Sequence, residues 1–326
     1  MAPPLVSIIV PAYNSGRYLG ETLDSALRQT YPHREIIVVD DGSTDQTSQR
    51  VEPYRTAVTY IRQERAGVGA ARNRGLRAAR GDYVALLDHD DLWLPEKLEI
   101  QVEVAERHPE TGMVVCDGVQ FDGETMLAPH LFPGRLLDEL ARSSDGELTR
   151  NLYRDLVRGN MISCPAQTLI RRRVVDELGP LTTIRYEAAD FDYYLRVARD
   201  HPVTLHRHSL VRWRYLPSSR SGPAEHRQFQ WALMTVPVLR RQQRLCRDED
   251  RPFVTSVVRA FIRQRARAAY HYGRLDDTAY ARSVLRRLVR YTPLDMKVLA
   301  YLAAVWLPAG LIDFVAQRTR RLRERR

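Results

Sequence analysis

Through residues 5–118 short β-branched runs alternate with helix-patterned stretches, and this alternation excludes most architectures. "LVSIIV" (5–10), "REIIVVD" (34–40), "AVTYIRQ" (57–63), "DYVALLD" (82–88) and "GMVVCDG" (112–118) read as strands. Between them lie "SGRYLGETLDSALRQ", "GSTDQTSQRVEPY", "GVGAARNRGLRAA" and "LPEKLEIQVEVAERH". These stretches carry apolar residues at helical spacing, or capping residues or proline near a start. The alternation predicts an α/β fold, a mostly parallel sheet with helices on both faces. Such sheets bind ligands beyond the carboxyl ends of their strands.

Three of those ends are polar: "IVPAYN", "VVDDGSTD" and "LLDHDD". Asp88, Asp90 and Asp91 crowd the last of them, and carboxylates so close repel unless water or a cation intervenes. A hard divalent cation would offset that cost and could bridge to a diphosphate. The alternative is complementarity to the dipole of the helix that follows, which suits Asp91 best. Asp40 or Asp41 could accept hydrogen bonds from a nucleobase or ribose; equally, Ser43 or Thr44 caps the next helix. Glycines 67, 69 and 75 let a ligand approach the backbone, and Arg72 could reach a phosphate. Arg74 and Arg77 fit a solvated face as well as a ligand. In "YEAADFDYYLRVARDH" (186–201), Asp190 and Asp192 occupy the first turn of a helix. They complement its dipole, or one of them acts as a general base on a hydroxyl.

At 28% charged and 44% hydrophobic residues the composition is that of an ordinary globular protein, but 48 of its 50 basic residues are arginine. That bias favours anionic partners. Nucleic acid is not among them, since no zinc-finger, RNP-like or basic-zipper pattern is present. Cys116, Cys164 and Cys246 lack any metal-ligand spacing and read as reduced core residues of a cytosolic protein. The first residues have no basic n-region and do not read as a signal peptide. No GxxxxGK[ST] loop occurs. From about 122 to 222 the pattern is less regular, and beyond 223 it is almost wholly helical (224–246, 252–272, 277–291 and 294–316).

Taken together, "VSIIVPAYNSGRYLGETLDSALRQTYPHREIIVVDDGSTDQT", "GVGAARNRGLRAARGDYVALLDHDDLWLPEKL" and "ADFDYYLRVA" resemble family 2 glycosyltransferases of the GT-A fold, over residues 5 to about 216. The resemblance implies a catalytic domain at 1–222, its nucleotide-sugar half at about 1–120 and its acceptor half at 121–222. Residues 223–326 would form a helical C-terminal region with a basic tail. It implies that Pro11, Tyr13 and Asp41 contact the nucleotide base, with Asp40 beside them. Asp88 and Asp90 match the family's DXD motif, so that Asp90 ligates Mn²⁺ or Mg²⁺ and Asp88 faces the ribose or the metal. Asp190 falls on the second residue of the family's "ED" pair, the catalytic base. Ala189 stands where the first residue belongs, and Glu187 is the second candidate base. "RWRYLPSSRSG" (212–222) resembles the loop that closes over the donor, where Arg214 and Arg220 meet phosphate or form a basic surface. The implied reaction is an inverting single displacement. It moves one sugar from a nucleotide-sugar, a UDP-sugar before others, to a saccharide or lipid-linked acceptor in cell-surface polysaccharide or glycolipid assembly.

The missing QxxRW motif points away from processive synthases. A sugar-nucleotide nucleotidyltransferase shares the sheet but needs a GxGxR loop and lysines absent here; a non-catalytic binding protein on the same fold is the third alternative. "VLAYLAAVWLPAGLIDFV" (298–315) precedes six arginines among the last ten residues. It reads either as a peripheral anchor on an anionic cytoplasmic membrane surface or as a helix packed on the catalytic domain with a disordered tail, and the expected function tilts the choice toward the membrane.

Overall fold

A computed structural model describes residues 3–184, 188–216, 224–275 and 277–306. The chain divides into two compact units, Met1–Arg185 with Ala189–Ser219, and Tyr186–Ala188 with Arg220–Arg326.

The first unit begins with β1 (Val6–Ala12), α1 (Leu19–Leu27), β2 (Arg34–Asp40), α2 (Thr47–Val51), β3 (Thr59–Arg62), α3 (Val68–Ala78) and β4 (Tyr83–Leu86). It continues with β5 (Leu92–Trp93), α4 (Lys97–Arg107), β6 (Met113–Asp122), β7 (Thr125–Ala128), α5 (Gly134–Arg142) and β8 (Glu147–Arg150). Then come α6 (Tyr153–Arg158), β9 (Thr168–Arg171), α7 (Arg172–Leu178), α8 (Ala189–Asp200) and β10 (Val203–Arg214). Among the described residues one sheet runs β3-β2-β1-β4-β9-β6-β10-β5, with β7 on β6 and β8 on β10.

Every residue of β1 is buried, as a strand covered on both faces requires. Its odd and even residues serve different layers. Ile8 and Val10 join Leu19 and Leu23 of α1 and Leu98 and Val102 of α4 in one core cluster. Ile9 faces α3 so closely that a Cβ on Gly75 would lie 2.4 Å from its Cγ2. Gly75 therefore serves packing of helix on strand, and Gly69 likewise abuts the Thr182 carbonyl oxygen at 2.5 Å from an added Cβ; neither opens the backbone to a ligand.

The expected parallel order holds through β3-β2-β1-β4 and again for β6 with β10. Elsewhere the sheet is mixed, because β9 inserts antiparallel between β4 and β6. It thereby keeps β4 and β6 pointing the same way, so their carboxyl ends share an edge with those of β1 and β2. The helix expected over 42–54 is short. α2 starts at Thr47 and passes into a 3₁₀ turn at Glu52–Tyr54. Ser43 and Thr44 do not cap it; the Ser43 hydroxyl accepts from Asn14 N–H instead.

In the second unit lie α9 (Ala224–Leu245), α10 (Arg251–Leu275), α11 (Thr278–Tyr291) and α12 (Met296–Ala304). Ala281, Val284, Leu285 and Leu288 form the buried stripe of α11 at helical spacing. Asp277 caps α11 through Tyr280 N–H at 2.8 Å, and Asp295 caps α12 while pairing with Arg263 at 2.8 Å. Among the described residues no helix is long and apolar enough to cross a membrane. Residues 307–315 of the apolar stretch 298–315, the basic tail, Glu187 and Arg220 lie outside the described residues. Cys116, Cys164 and Cys246 are free and buried.

Candidate active site

The carboxyl edge of β1, β2 and β4 assembles from local rules. β4 pairing with β1 ends as Leu87 N–H donates to Ile9, so Pro11, beyond that point, loses no ladder bond by lacking an N–H. Pro11 is buried, and the Tyr13 ring beyond it carries the Arg65 guanidinium at 4.1 Å from its centroid. At the end of β2, Gly42 takes a φ of +75°, where an added Cβ would lie 2.9 Å from Arg65 N. Only glycine turns the chain there.

The two aspartates before that glycine are both buried, and both are fully engaged by protein. Asp40, 0% exposed, accepts from Tyr60 Oη at 2.6 Å and Ser43 N–H at 2.8 Å. The Tyr60 hydroxyl is pushed up to about 12, by burial first and then by that bond to Asp40. Asp41 accepts from Gln63 Nε2 at 2.8 Å, Ala66 N–H at 2.8 Å and Gly67 N–H at 2.7 Å. Its carboxylate thus builds the 63–67 segment that brings Arg65 to Tyr13. Side-chain donors of Tyr60 and Gln63 and the N–H groups of Ser43, Ala66 and Gly67 hold these two carboxylates in place.

At the β4 end the balance differs. The Asp88 side chain, 27% exposed, accepts from Arg72 Nη2 at 2.7 Å. Arg72 comes from α3 and is 5% exposed in its side chain. Burial works against its charge, but Asp88 and then Asp190 outweigh it and hold the guanidinium firmly protonated. Arg72 is therefore turned inward on a carboxylate instead of outward to a phosphate, since a buried guanidinium must be paired. Asp90 is half-buried; burial, and then the charge of Asp88, push its pKa up against the opposing pull of His89 and Arg214.

Asp91 behaves otherwise than its place before α4 suggests. It is fully buried, immediately before β5, and accepts the Arg214 N–H at 3.0 Å. Arg214 in turn bonds the Asp90 carbonyl through Nε at 2.9 Å and Glu21 through Nη2 at 2.7 Å, between the rings of Tyr18 and Phe121. Sequence reading made Asp91 a helix-dipole residue and Arg214 a phosphate or surface residue. They are instead a clamp that fixes the Asp88–Asp91 turn to the end of β10.

Asp190 opens α8, half-exposed, with its Oδ1 taking the Phe191 N–H at 2.9 Å. One turn on, Tyr194 is buried; burial, and then Asp190, push its hydroxyl well above the tyrosine range. The i, i+4 spacing of Asp190 and Tyr194 is the sign of this proximity in the sequence. A second arrangement went unnoticed: buried Asp117 on β6 accepts from Leu131 and Phe132 N–H and holds His130 Nδ1 at 2.7 Å.

A divalent cation at this edge would meet two hard oxygen donors, Asp90 and the Asp88 carboxylate that Arg72 also pairs, and donors of that chemistry fit such an ion. Among the described residues no cluster of three or more metal-ligating side chains exists, so other ligands would come from outside that set.

Comparison with known proteins bears on the family and the fold. The family model described as "Glycosyl transferase family 2" matches residues 7–179. An uncharacterized glycosyltransferase of Rickettsia felis is 31% identical over 215 residues, 65% of this chain and 34% of that protein. The putative teichuronic acid biosynthesis glycosyltransferase TuaG of Bacillus subtilis is 38% identical over 166 residues, 49% of this chain and 60% of TuaG. The chain thus spans about a third of the length of its Rickettsia felis relative. The crystal structure of S. aureus TarS 1-349 in complex with UDP superposes with a TM-score of 0.62 at 20% identity, covering 91% of this chain and 83% of that one. The mannosyltransferase PcManGT from Pyrobaculum calidifontis, in complex with GDP-Man and Mn²⁺, gives a TM-score of 0.58 at 22% identity, covering 93% and 86%. The chain belongs to glycosyl transferase family 2, and its α/β sheet with flanking helices is a GT-A-like fold followed by a helical region.

Proposed function

We propose that this chain is an inverting, metal-dependent glycosyltransferase that moves one sugar from a nucleotide-sugar to an acceptor hydroxyl. The observation that carries the reading is Arg72: it grips Asp88 at 2.7 Å and lies in the field of Asp190, which supports reading the strand-end carboxylates and the carboxylate of α8 as one site. Asp90, with Asp88, would hold Mn²⁺ or Mg²⁺. Such a cation, when bound, offsets the charge gathering on a departing diphosphate.

Asp190 accepts the proton of the acceptor hydroxyl at a carboxylate oxygen, with Glu187 as the second candidate. Arg72 pairs with Asp88 and holds the two carboxylate groups in register. Pro11 and Tyr13 offer the surface for the base, and Arg65 covers the Tyr13 ring from the other side. Asp40 and Asp41 act by shaping the turns around that surface. Residues 1–222 would then be the catalytic domain, with the nucleotide half at about 1–120 and the acceptor half at 121–222.

The substrate classes are read from relatives. TuaG's name concerns teichuronic acid, TarS was crystallised with UDP and with UDP-GlcNAc, and PcManGT with GDP-Man. They favour a UDP-sugar donor and an acceptor in cell-surface polysaccharide or glycolipid assembly, saccharide or lipid-linked. Residues 298–326 would attach the protein peripherally to the inner face of the cytoplasmic membrane through their arginines. The test is release of nucleoside diphosphate from a panel of UDP- and GDP-sugars with Mn²⁺, with Mg²⁺ and in EDTA. Metal-dependent release supports the reading; none from any nucleotide-sugar, with or without saccharide acceptors, overturns it.

A further inference from the structure

Arginine is the residue this chain over-uses, and the second unit gathers three of them round one cleft. The cleft, about 570 Å³, is lined by Arg240, Gln243, Arg244 and Arg251, where the end of α9 meets the start of α10. It contains none of the residues of the carboxylate site. Arg240 and Arg244 stand four apart on α9, a spacing at which like charges work against the helix. Arg251 pairs with Asp248 at 2.8 Å, but that carboxylate is 89% exposed and a solvated pair offsets little. The lining itself holds three positive side chains and no negative one.

One of the three is also held in place. Arg240 Nη1 donates to Gln243 Oε1 at 2.7 Å, and Gln243 Nε2 donates to Thr255 Oγ1 of α10 at 2.8 Å. A link across two helices thus orients a guanidinium toward a cleft where repulsion alone would drive it into solvent. Local charge conflict with a positioned side chain is the pattern of a site that awaits a counter-charge. Guanidinium forks match tetrahedral oxyanions through paired N–H···O bonds, and the volume lies in the range of small-ligand sites.

We propose that this cleft binds the phosphate of a phosphorylated ligand, either a soluble phosphate ester or a lipid headgroup, separately from any donor bound at the carboxylate edge. The proposal does not depend on the transfer reading above.

Calorimetric titration of the full chain with inorganic pyrophosphate in EDTA tests it. The wild type and Asp90→Ala should bind alike. Arg240→Gln/Arg244→Gln should weaken binding by about tenfold or more, given the strength of hydrogen bonds between charged groups. Its melting temperature should match or exceed that of the wild type, because two like charges are gone; if it melts lower, Arg251→Gln alone carries the comparison. A hexose phosphate and phosphatidylglycerol vesicles, the latter set against phosphatidylcholine vesicles, then separate the sources by which of them shows the same arginine dependence. Absence of pyrophosphate binding, binding indifferent to the arginines, or loss in Asp90→Ala instead would each overturn the proposal.

Discussion

Two strand ends of the first unit carry near-identical signatures, Asp40-Asp41 after β2 and Asp88 to Asp91 after β4, yet the fold treats them in opposite ways. The first pair is supplied with donors from turns within 27 residues: Ser43, Tyr60, Gln63, Ala66 and Gly67. Every one of those bonds stabilises structure. At the second end, Arg72 serves Asp88 and the Arg214 backbone serves Asp91, while Asp90 is left half-buried beside like charge. An acid at a strand end is thus not a ligand by virtue of its position. What decides is whether protein donors reach it first.

The comparison breaks most visibly in activity. Asp90→Ala should abolish sugar transfer and the metal dependence of nucleotide-sugar binding, yet melt no lower than the wild type, because the group removed is one that burial and Asp88 disfavour. Calorimetry with and without Mn²⁺, beside a thermal melt, checks both halves. Full transfer by this variant in excess EDTA would end the metal assignment.

Asp190→Asn should lower the rate by about 10²–10⁴-fold with nucleotide-sugar affinity nearly kept, since a base acts on the acceptor. Steady-state kinetics on this variant and on Glu187→Gln decide which carboxylate takes the proton. The larger loss marks the base.

Among stability effects, Asp41→Ala should cost the most, about 3 kcal/mol in denaturant unfolding, because three hydrogen bonds to a buried carboxylate vanish together. If it melts like the wild type while Asp90→Ala does not, the contrast between the strand ends is inverted. Arg72→Met should cost about 2–3 kcal/mol, at or below the low end for breaking a buried pair because Asp88 keeps some water.

The smallest effect belongs to Tyr60→Phe, about 1 kcal/mol at neutral pH. Its sign with pH follows from the raised tyrosine value. The unfolded hydroxyl ionises near 10 and the folded one near 12, so the bond is fully present below pH 10 and is lost as pH rises from 10 to 12. Wild type and variant should therefore converge over that interval in pH-dependent unfolding. Parallel curves would detach Tyr60 from Asp40.

Much of this was legible in the linear chain. The strand runs at 5–10, 34–40, 57–63 and 82–88 and the helices 224–246 and 277–291 appear within a few residues of where they were read, because side-chain periodicity is a local consequence of backbone geometry. The polar strand ends were legible for the same reason. The antiparallel insertion of β9 was not, since four residues of "TLIR" carry burial but no direction. The clamp on Asp91 was not, because Arg214 lies 123 positions away. Arg72 was read as a phosphate contact because nothing in "GAARNRG" reveals that Asp88, 16 residues on, will stand within 2.7 Å.

By itself the sequence determined the family, the α/β order of the first unit and the helical character of the second. Only the tertiary structure decided which carboxylates hold turns and which one is disfavoured by burial and the charge of Asp88. Residue type and spacing are set along the chain. Hydrogen-bond satisfaction and desolvation, by contrast, are set by neighbours in space, and those arrive from separate elements only once the sheet has formed.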